Sequence, residues 1–66
     1  MYIVLNGKKF EVPKKVTITQ LLKKMDIKPS KVAVEVNKVV IPKEQYKYFK
    51  FSNKDRVEIV TFIGGG

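Results

Sequence analysis

The stretch Thr17-Ile18-Thr19-Gln20-Leu21-Leu22-Lys23-Lys24-Met25 predicts the helix around which the rest of the chain is arranged. One apolar stripe runs along it at the spacing i, i+3, i+4 and i+7: Ile18, Leu21, Leu22 and Met25. Thr17 is suited to cap the helix, and Gln20 three residues later completes a capping-box pattern. A helix of about two to three turns is marginal alone, so we expect it to pack on a sheet.

A β-hairpin is predicted before this helix. Residues 2–5 are a β-branched and aromatic run, and Asn6-Gly7 follows directly. Both turn residues tolerate positive φ, which is the strongest short hairpin signal. Residues 9–12 then alternate polar and apolar side chains with period two, as a half-buried return strand does. Pro13 closes the hairpin because it cannot donate to a ladder.

Three further strands are predicted after the helix, over residues 32–36, 39–41 and 57–63. Asn37-Lys38 joins the first two strands. The connection to the third strand is predicted to contain a helical turn over residues 43–46, an extended piece ending at Phe51 and a turn over residues 52–55. The order β-β-α-β-β-β predicts an α+β, ubiquitin-like β-grasp fold, with a mixed sheet of four to five strands on one helix. We expect the helix to cross between parallel neighbours in a right-handed connection, while the pattern leaves the strand order open.

The composition excludes most catalysis by side chains. The chain has 66 residues, 14 Lys+Arg against 6 Asp+Glu, a formal net charge of +8, and no His, Cys or Trp. Without His, no side chain has an ordinary pKa near neutrality. Without Cys there is no thiol nucleophile, disulfide or zinc–thiolate site. Ser30 and Ser52 have no His to activate them, so a hydrolase of the triad type is excluded.

Other classes of protein are disfavoured by the distribution of carboxylates and apolar residues. The carboxylates are scattered singly, so we expect no metal site. Uncharged apolar runs such as residues 39–42 are far too short to span a bilayer, and no signal-peptide core follows Met1. We therefore expect a cytoplasmic protein without membrane contact, made of one β-grasp domain over residues 1–63 and a glycine tail over residues 64–66.

The glycine tail is the segment that folding does not explain. Gly64, Gly65 and Gly66 cost backbone entropy and bury nothing. A frayed end or a cloning remnant is the alternative. We interpret the tail as functional, because Gly64 and Gly65 lack Cβ atoms and could thread a narrow channel of another protein. Gly66 would present an unhindered terminal carboxylate, which ATP can activate as an acyl adenylate for capture by a sulfur or nitrogen nucleophile.

Four segments together resemble a known family, the ubiquitin-like sulfur carriers, and most closely the ThiS carriers of thiamine biosynthesis. They are residues 3–7 (IVLNG), 16–22 (VTITQLL), 34–44 (VEVNKVVIPKE) and 55–66 (DRVEIVTFIGGG). The last is the most specific. The chain departs from the family at Asn53-Lys54-Asp55, where Asp-Gly-Asp is frequent, and we expect Asn53 to supply the positive φ of that turn.

The resemblance implies a sulfur carrier that is not itself an enzyme. An E1-like, ThiF-like adenylyltransferase would use ATP to adenylate the Gly66 carboxylate, and a cysteine desulfurase or rhodanese-type donor would supply sulfur for a thiocarboxylate at that site. A ThiG-like thiazole synthase would receive the sulfur. The resemblance implies no catalytic side chain, no bound cofactor and no metal, and a chain that is a monomer on its own.

A docking surface for these partners is predicted from strand parity. If Val57 and Ile59 face the helix, Val60 and Phe62 lie on the outer face of the sheet. The same parity places Tyr2 and Val4 outside in the first strand. These four residues, with Ile63 beside the tail, are our predicted docking patch. The alternatives are a reversed inside–outside assignment or a patch covered by the tail.

Two other classes of function stay open at this point, related carriers and a nucleic-acid-binding domain. Related carriers deliver sulfur to transfer-RNA thiolation or to molybdopterin, or act as ubiquitin-like modifiers, through the same terminus. A small basic domain could instead bind single-stranded nucleic acid through Tyr46, Tyr48, Phe49 and Phe51, which are interleaved with lysines. We do not expect nucleic acid as the main partner, because 13 of the 14 cations are Lys, and Arg, the better planar phosphate reader, occurs only at Arg56.

Overall fold

The computed structural model describes residues 1–62 and shows one mixed sheet packed on one α-helix. The strands are β1 (Tyr2–Leu5), β2 (Lys8–Glu11), β3 (Val32–Val36), β4 (Val39–Val40) and β5 (Arg56–Thr61), and the helix α1 is Ile18–Lys24. Short 3₁₀ helices span Pro29–Lys31 and Lys43–Gln45. The predicted element order is confirmed. Ile63 and the predicted tail over residues 64–66 lie outside the described residues.

The strand order is β2-β1-β5-β3-β4, so the first and last strands are neighbours at the centre of the sheet. β1 and β5 run parallel, and the other adjacent pairs are antiparallel. The expected crossover between neighbouring strands is wrong. β2 and β3, which α1 connects, run in the same direction, but β1 and β5 lie between them because β5 inserts beside β1.

The helix begins and ends where its sequence dictates. Thr17 Oγ1 accepts a hydrogen bond from the Gln20 amide at 3.1 Å, and Gln20 Oε1 accepts one from the Thr17 amide at 2.9 Å. Both halves of the predicted capping box are therefore present. Met25 follows the last helical residue, and Asp26 leaves the helix with φ 59°.

One hydrophobic core lies between α1 and the inner face of the sheet. The helix contributes Ile18, Leu21 and Leu22, all nearly inaccessible, whereas Met25 is only half-buried. The strand residues that meet them are buried and alternate with half-buried or exposed neighbours: Ile3, Leu5, Val32, Val34, Val36 and Val57. Tyr46 and Phe51 close the same core from the connection between β4 and β5.

The tight turns show which residues accept left-handed backbone. Asn6 and Gly7 have φ 48° and 84°, and Asn37 and Lys38 have φ 52° and 70°. Two consecutive positive φ values match the right-handed twist of the flanking strands, so both hairpins form where predicted.

The turn before β5 corrects one expectation. The residue with positive φ is Lys54, at 69°, and not Asn53. Asn53 instead uses its side chain, whose Oδ1 accepts a hydrogen bond from the Tyr2 amide at 3.0 Å. Asp55 Oδ2 accepts from the Ser52 amide at 2.7 Å and closes the turn from the other side. Lys54 thus occupies the middle position of the turn Asn53-Lys54-Asp55, where the family that the chain resembles frequently has glycine.

Replacing Thr17 with Ala tests the capping box. Thr17→Ala should lower the free energy of unfolding by about 1 kcal/mol, because the Gln20 amide in the first turn of α1 loses the Thr17 Oγ1 acceptor. Urea denaturation followed by circular dichroism measures the change. Thr19→Ala is the matched control, since Thr19 lies in the same helix and outside the box. Equal losses in the two variants would contradict this account of the cap.

Replacing Lys54 with Gly tests the strained turn. Left-handed backbone costs a residue with a Cβ atom about 1 kcal/mol, so Lys54→Gly should raise the free energy of unfolding by up to about that amount. Lys47→Gly removes the same charge and side chain at a residue without positive φ and should lower stability. A shift of the urea midpoint in the same direction for both variants would refute the assignment of strain to Lys54.

Candidate functional site

The middle of the sheet leads directly to the glycine tail. β5 ends at Thr61, and the Phe62 amide still donates to the Lys31 carbonyl at 3.0 Å. Lys43 also contacts the end of β5. Its Nζ donates a hydrogen bond to the Val32 carbonyl at 3.1 Å and lies 5.1 Å from the centre of the Phe62 ring. The chain is therefore fixed up to Phe62, the last described residue before the positions predicted to thread a partner. Ile63, Gly64, Gly65 and Gly66 themselves lie outside the described residues.

Two of the predicted docking residues are prominent on the outer face of the sheet. Val60 is 51% exposed and Phe62 is 52% exposed, while Val57 on the opposite face is fully buried. α1 packs on that opposite face and so does not cover Val60 and Phe62, although Lys43 of the 3₁₀ helix Lys43–Gln45 lies over the Phe62 ring. Large apolar side chains exposed on a sheet face are typical of interaction surfaces.

Tyr2 and Val4 lie on the same face but at the far end of β5. Val4 pairs with Arg56 and not with Val60, because β1 is level with the start of β5. At about 3.3 Å per residue, Val4 is separated from Val60 by about 13 Å along the sheet. Lys9 also lies over the Tyr2 ring, with Nζ 4.5 Å from its centre. The structure thus does not bring Tyr2 and Val4 into one continuous patch with Val60 and Phe62.

The actual neighbours of Val60 come from β3 and β4. Ala33 pairs with Val60, and Glu35 pairs with Glu58 on one side and Val40 on the other. Val40 is 62% exposed. We call the outer face formed by these residues the sheet patch: Ala33, Glu35, Val40, Glu58, Val60 and Phe62. The alternation of side chains along β3 predicts that Ala33 and Glu35 share a face. That they lie beside β5 follows only from the strand order.

The sheet patch carries negative charge on a strongly basic chain. Glu35 and Glu58 are directly opposite each other across β3 and β5. Like charges at such a pair are destabilising, so this arrangement does not help the fold. Within residues 1–62 the only ion pair joins Lys9 and Glu11 at 4.0 Å, with both side chains largely exposed. Such a pair adds little to stability.

The aromatic segment considered for nucleic-acid stacking is mostly part of the core. Tyr46 and Phe51 are buried, and Phe49 is half-buried with its ring edge-on to Phe51 at 5.7 Å. Burial raises the pKa of the Tyr46 hydroxyl, and a hydrogen bond with the backbone of Val34 partly opposes that shift. Only Tyr48 of the four aromatics is exposed, at 69%. One exposed ring does not form a stacking platform for successive bases.

The described part of the chain contains neither a cluster of metal ligands nor a membrane-spanning helix. Residues 1–62 contain no group of three or more Asp or Glu side chains that could hold a metal ion. No helix among them is long and apolar enough to cross a membrane.

Comparison with known proteins identifies the family. The model of the ThiS family matches residues 3–66 of the chain, including the three terminal glycines. The chain belongs to the ThiS family. This confirms the resemblance to ubiquitin-like sulfur carriers.

Relatives of the same size support this membership. The sulfur carrier protein ThiS of Bacillus subtilis is 41% identical over 63 residues, which cover 94% of this chain and 96% of that protein. A crystal structure of the ThiS protein of Geobacter metallireducens superposes with a TM-score of 0.85 at 30% identity and covers both chains completely. The predicted β-grasp fold is confirmed by this match.

A longer relative contains a whole ThiS-like region. A thiazole synthase of Paramagnetospirillum magneticum is 38% identical over all 66 residues of this chain. The chain spans only 20% of the length of that relative.

Proposed function

We propose that this ThiS-family chain is a sulfur carrier for thiazole formation in thiamine biosynthesis, with the Gly66 carboxylate as the group that carries sulfur. The observation that supports this most directly is the family match through residue 66, which includes the glycines that no requirement of folding explains. The name of the Bacillus subtilis relative, sulfur carrier protein ThiS, agrees with the proposal.

The chemistry assigned to the terminus needs no side chain of the carrier. An E1-like adenylyltransferase joins the Gly66 carboxylate to AMP from ATP and releases pyrophosphate. The outer sulfur of a persulfide, formed on a cysteine desulfurase or rhodanese-type donor, then attacks the acyl carbon and displaces AMP, which gives an acyl disulfide. A cysteine thiolate of the partner enzymes cleaves that S–S bond, so the thiocarboxylate leaves while the thiolate sulfur and the donor sulfur join as a disulfide. ATP is bound by the partner enzyme, and the carrier is a co-substrate. The lack of His and Cys in the chain is compatible with this division of labour.

Thiazole synthase is the proposed recipient of the sulfur. Two relatives named thiazole synthase, from Paramagnetospirillum magneticum and Magnetococcus marinus, each contain a region that matches this whole chain at 38% and 39% identity. The presence of a ThiS-like region within proteins of that name supports a functional link between the carrier and thiazole synthase. We propose that the present chain delivers its sulfur to such an enzyme in the cytoplasm.

The sheet patch is the proposed docking surface of the activating enzyme. Val60 and Phe62 lie on the strand that leads to the tail, so a partner that holds them also fixes where Gly64 and Gly65 enter its channel. Positioning of this kind can contribute several kcal/mol to the reaction of a held group. Tyr2 and Val4 are too far along the sheet to share a small contact with Phe62, and we assign them no part in this docking surface.

Intact-mass spectrometry tests the carrier function. After incubation with ATP, an E1-like adenylyltransferase of a ThiS system and its sulfur donor, we expect the mass change of one oxygen replaced by sulfur. The chain lacking Gly66 should show no change, because the acceptor position is altered. An unchanged full-length chain with enzymes that convert the Bacillus subtilis carrier in parallel would contradict the proposal.

Replacing Phe62 with Asp tests the docking surface. Phe62→Asp should lower kcat/KM of the activating enzyme for the carrier by about tenfold or more, since a buried charge replaces an aromatic anchor. Tyr48→Asp is the control, because Tyr48 is a comparably exposed aromatic that lies outside the sheet patch. Pyrophosphate release measures the rate. The same loss in both variants, or in neither, would mean that the enzyme does not read the sheet patch.

A further inference from the structure

A groove beside α1 is built from positively charged side chains and is not used by the proposed carrier function. It has a volume of about 370 Å³ and is lined by Pro13, Lys14, Lys15, Val16, Gln20 and Lys24. The three lysines and Pro13 are exposed, and Val16 is buried. Lys24 Nζ also lies 5.8 Å from the centre of the Phe10 ring. We refer to this groove as the lysine groove.

Every polar side-chain group that lines the lysine groove is a donor. The three lysines carry ammonium groups, which cannot accept hydrogen bonds. Gln20 is fixed by the capping box, since its Oε1 accepts from the Thr17 amide at 2.9 Å. Its free amide group is therefore the NH₂, which only donates. Polar side chains that offer donors suit an anion and disfavour a cation.

The positive charge in the lysine groove is not balanced within the described chain. Lys14, Lys15 and Lys24 form no ion pair among residues 1–62. None of the six carboxylates lines the groove. Each belongs to another part of the structure: Glu11 is beside Lys9, Asp26 follows α1, Glu35 and Glu58 are on the sheet patch, Glu44 is in a 3₁₀ helix and Asp55 is in the turn before β5.

We propose that the lysine groove binds a phosphate group. Several ammonium groups and an amide NH₂ match an anion with more than one charge and several acceptor oxygens, which a carboxylate does not offer. The phosphate could belong to a small molecule such as pyrophosphate or to the backbone of a single-stranded nucleic acid. The donors of the groove recognise the same oxygens in both.

The position of the lysine groove allows it to act independently of the tail. Its loop, residues 13–16, follows β2 and lies at the end of the sheet where β5 begins, since β2 ends beside Met1 and Tyr2. The tail follows the other end of β5, six residues away, which is about 20 Å. A phosphate in the groove would not occupy the space that an enzyme needs around Phe62.

Two-dimensional NMR titration of the ¹⁵N-labelled full chain at constant ionic strength tests the proposal. Pyrophosphate and a single-stranded oligothymidylate are added in separate arms, and poly-glutamate in a third. We expect the amide signals of Lys14, Lys15, Gln20 and Lys24 to shift most in at least one phosphate arm. A response to the oligonucleotide alone would identify a nucleic-acid backbone as the source, and a response to pyrophosphate alone would identify a small molecule.

Charge variants separate a built groove from general attraction. Lys14→Gln combined with Lys24→Gln should weaken phosphate binding by about tenfold. In the oligonucleotide arm the slope of log affinity against log salt should fall by about 0.7 for each phosphate that the variant no longer neutralises. Lys31→Gln combined with Lys47→Gln removes the same charge elsewhere and should weaken binding less than about twofold. Lys15 is left unchanged, because its φ of 64° complicates any substitution.

Three results would overturn the proposal. Equal weakening in the two double variants, or shifts spread over lysines in every part of the chain, would show nonspecific attraction by the net charge. Tighter binding of poly-glutamate at the same residues would show a carboxylate site. Absence of shifts in both phosphate arms, with both variants folded by their NMR spectra, would show that the groove does not bind phosphate. Deletion of Gly66 should leave phosphate binding unchanged, so this test is separate from the carrier function.

Discussion

The parallel pairing of β1 with β5 is the constraint on which the rest of the structure depends. The Val4 amide donates to the Asp55 carbonyl and the Asn6 amide to the Val57 carbonyl, both at 2.8 Å, and the Lys54 amide donates to the Tyr2 carbonyl at 2.7 Å. These bonds join the two ends of the chain across about fifty intervening residues, which have to be ordered before the pairing forms. Ile3 and Val57, both fully buried, meet the helix from these two strands. The burial of apolar side chains under α1 offsets the cost of that closure.

The same pairing explains which parts of the fold are readable from sequence. Every local element has a local signal: the capping box at Thr17, the Asn6-Gly7 turn, and the alternation of Val32, Val34 and Val36. The strand order has none, because β5 inserts between β1 and β3 through contacts of long sequence separation. The prediction for the turn before β5 failed for a related reason. Asn53 has the higher intrinsic tolerance for positive φ, but its side chain is recruited by the Tyr2 amide, and Lys54 takes the left-handed conformation instead.

In the candidate site, too, some features follow from the sequence of one strand and others depend on how the strands pair. The exposure of Val60 and Phe62 follows from parity along one strand, which sequence shows directly. Their association with Ala33, Glu35 and Val40 requires the pairing of β5 with β3 and of β3 with β4. Tyr2 and Val4 lie on the predicted face of the sheet but too far from Val60 along the strand direction. Their position could not be predicted, because the register between parallel strands is not encoded in either strand alone. The lysine groove has a similar origin, since residues 14 and 15 come close to Lys24 only when the loop packs against the helix.

The sheet patch and the solvent side of α1 differ in charge, because the helix covers only one face of the sheet. A sheet covered by a helix on one face leaves its other face free, and here the sheet patch on that face bears two glutamates and exposed apolar side chains, while Gln20 and the lysines of α1 occupy the solvent side of the helix. A partner that approaches the sheet patch meets apolar contact and negative charge, whereas an anion is attracted to the lysine groove. Because the reacting group of the proposed carrier is a main-chain terminus, side chains of the domain are free of catalytic demands. Their distribution can therefore select what binds each face of the domain.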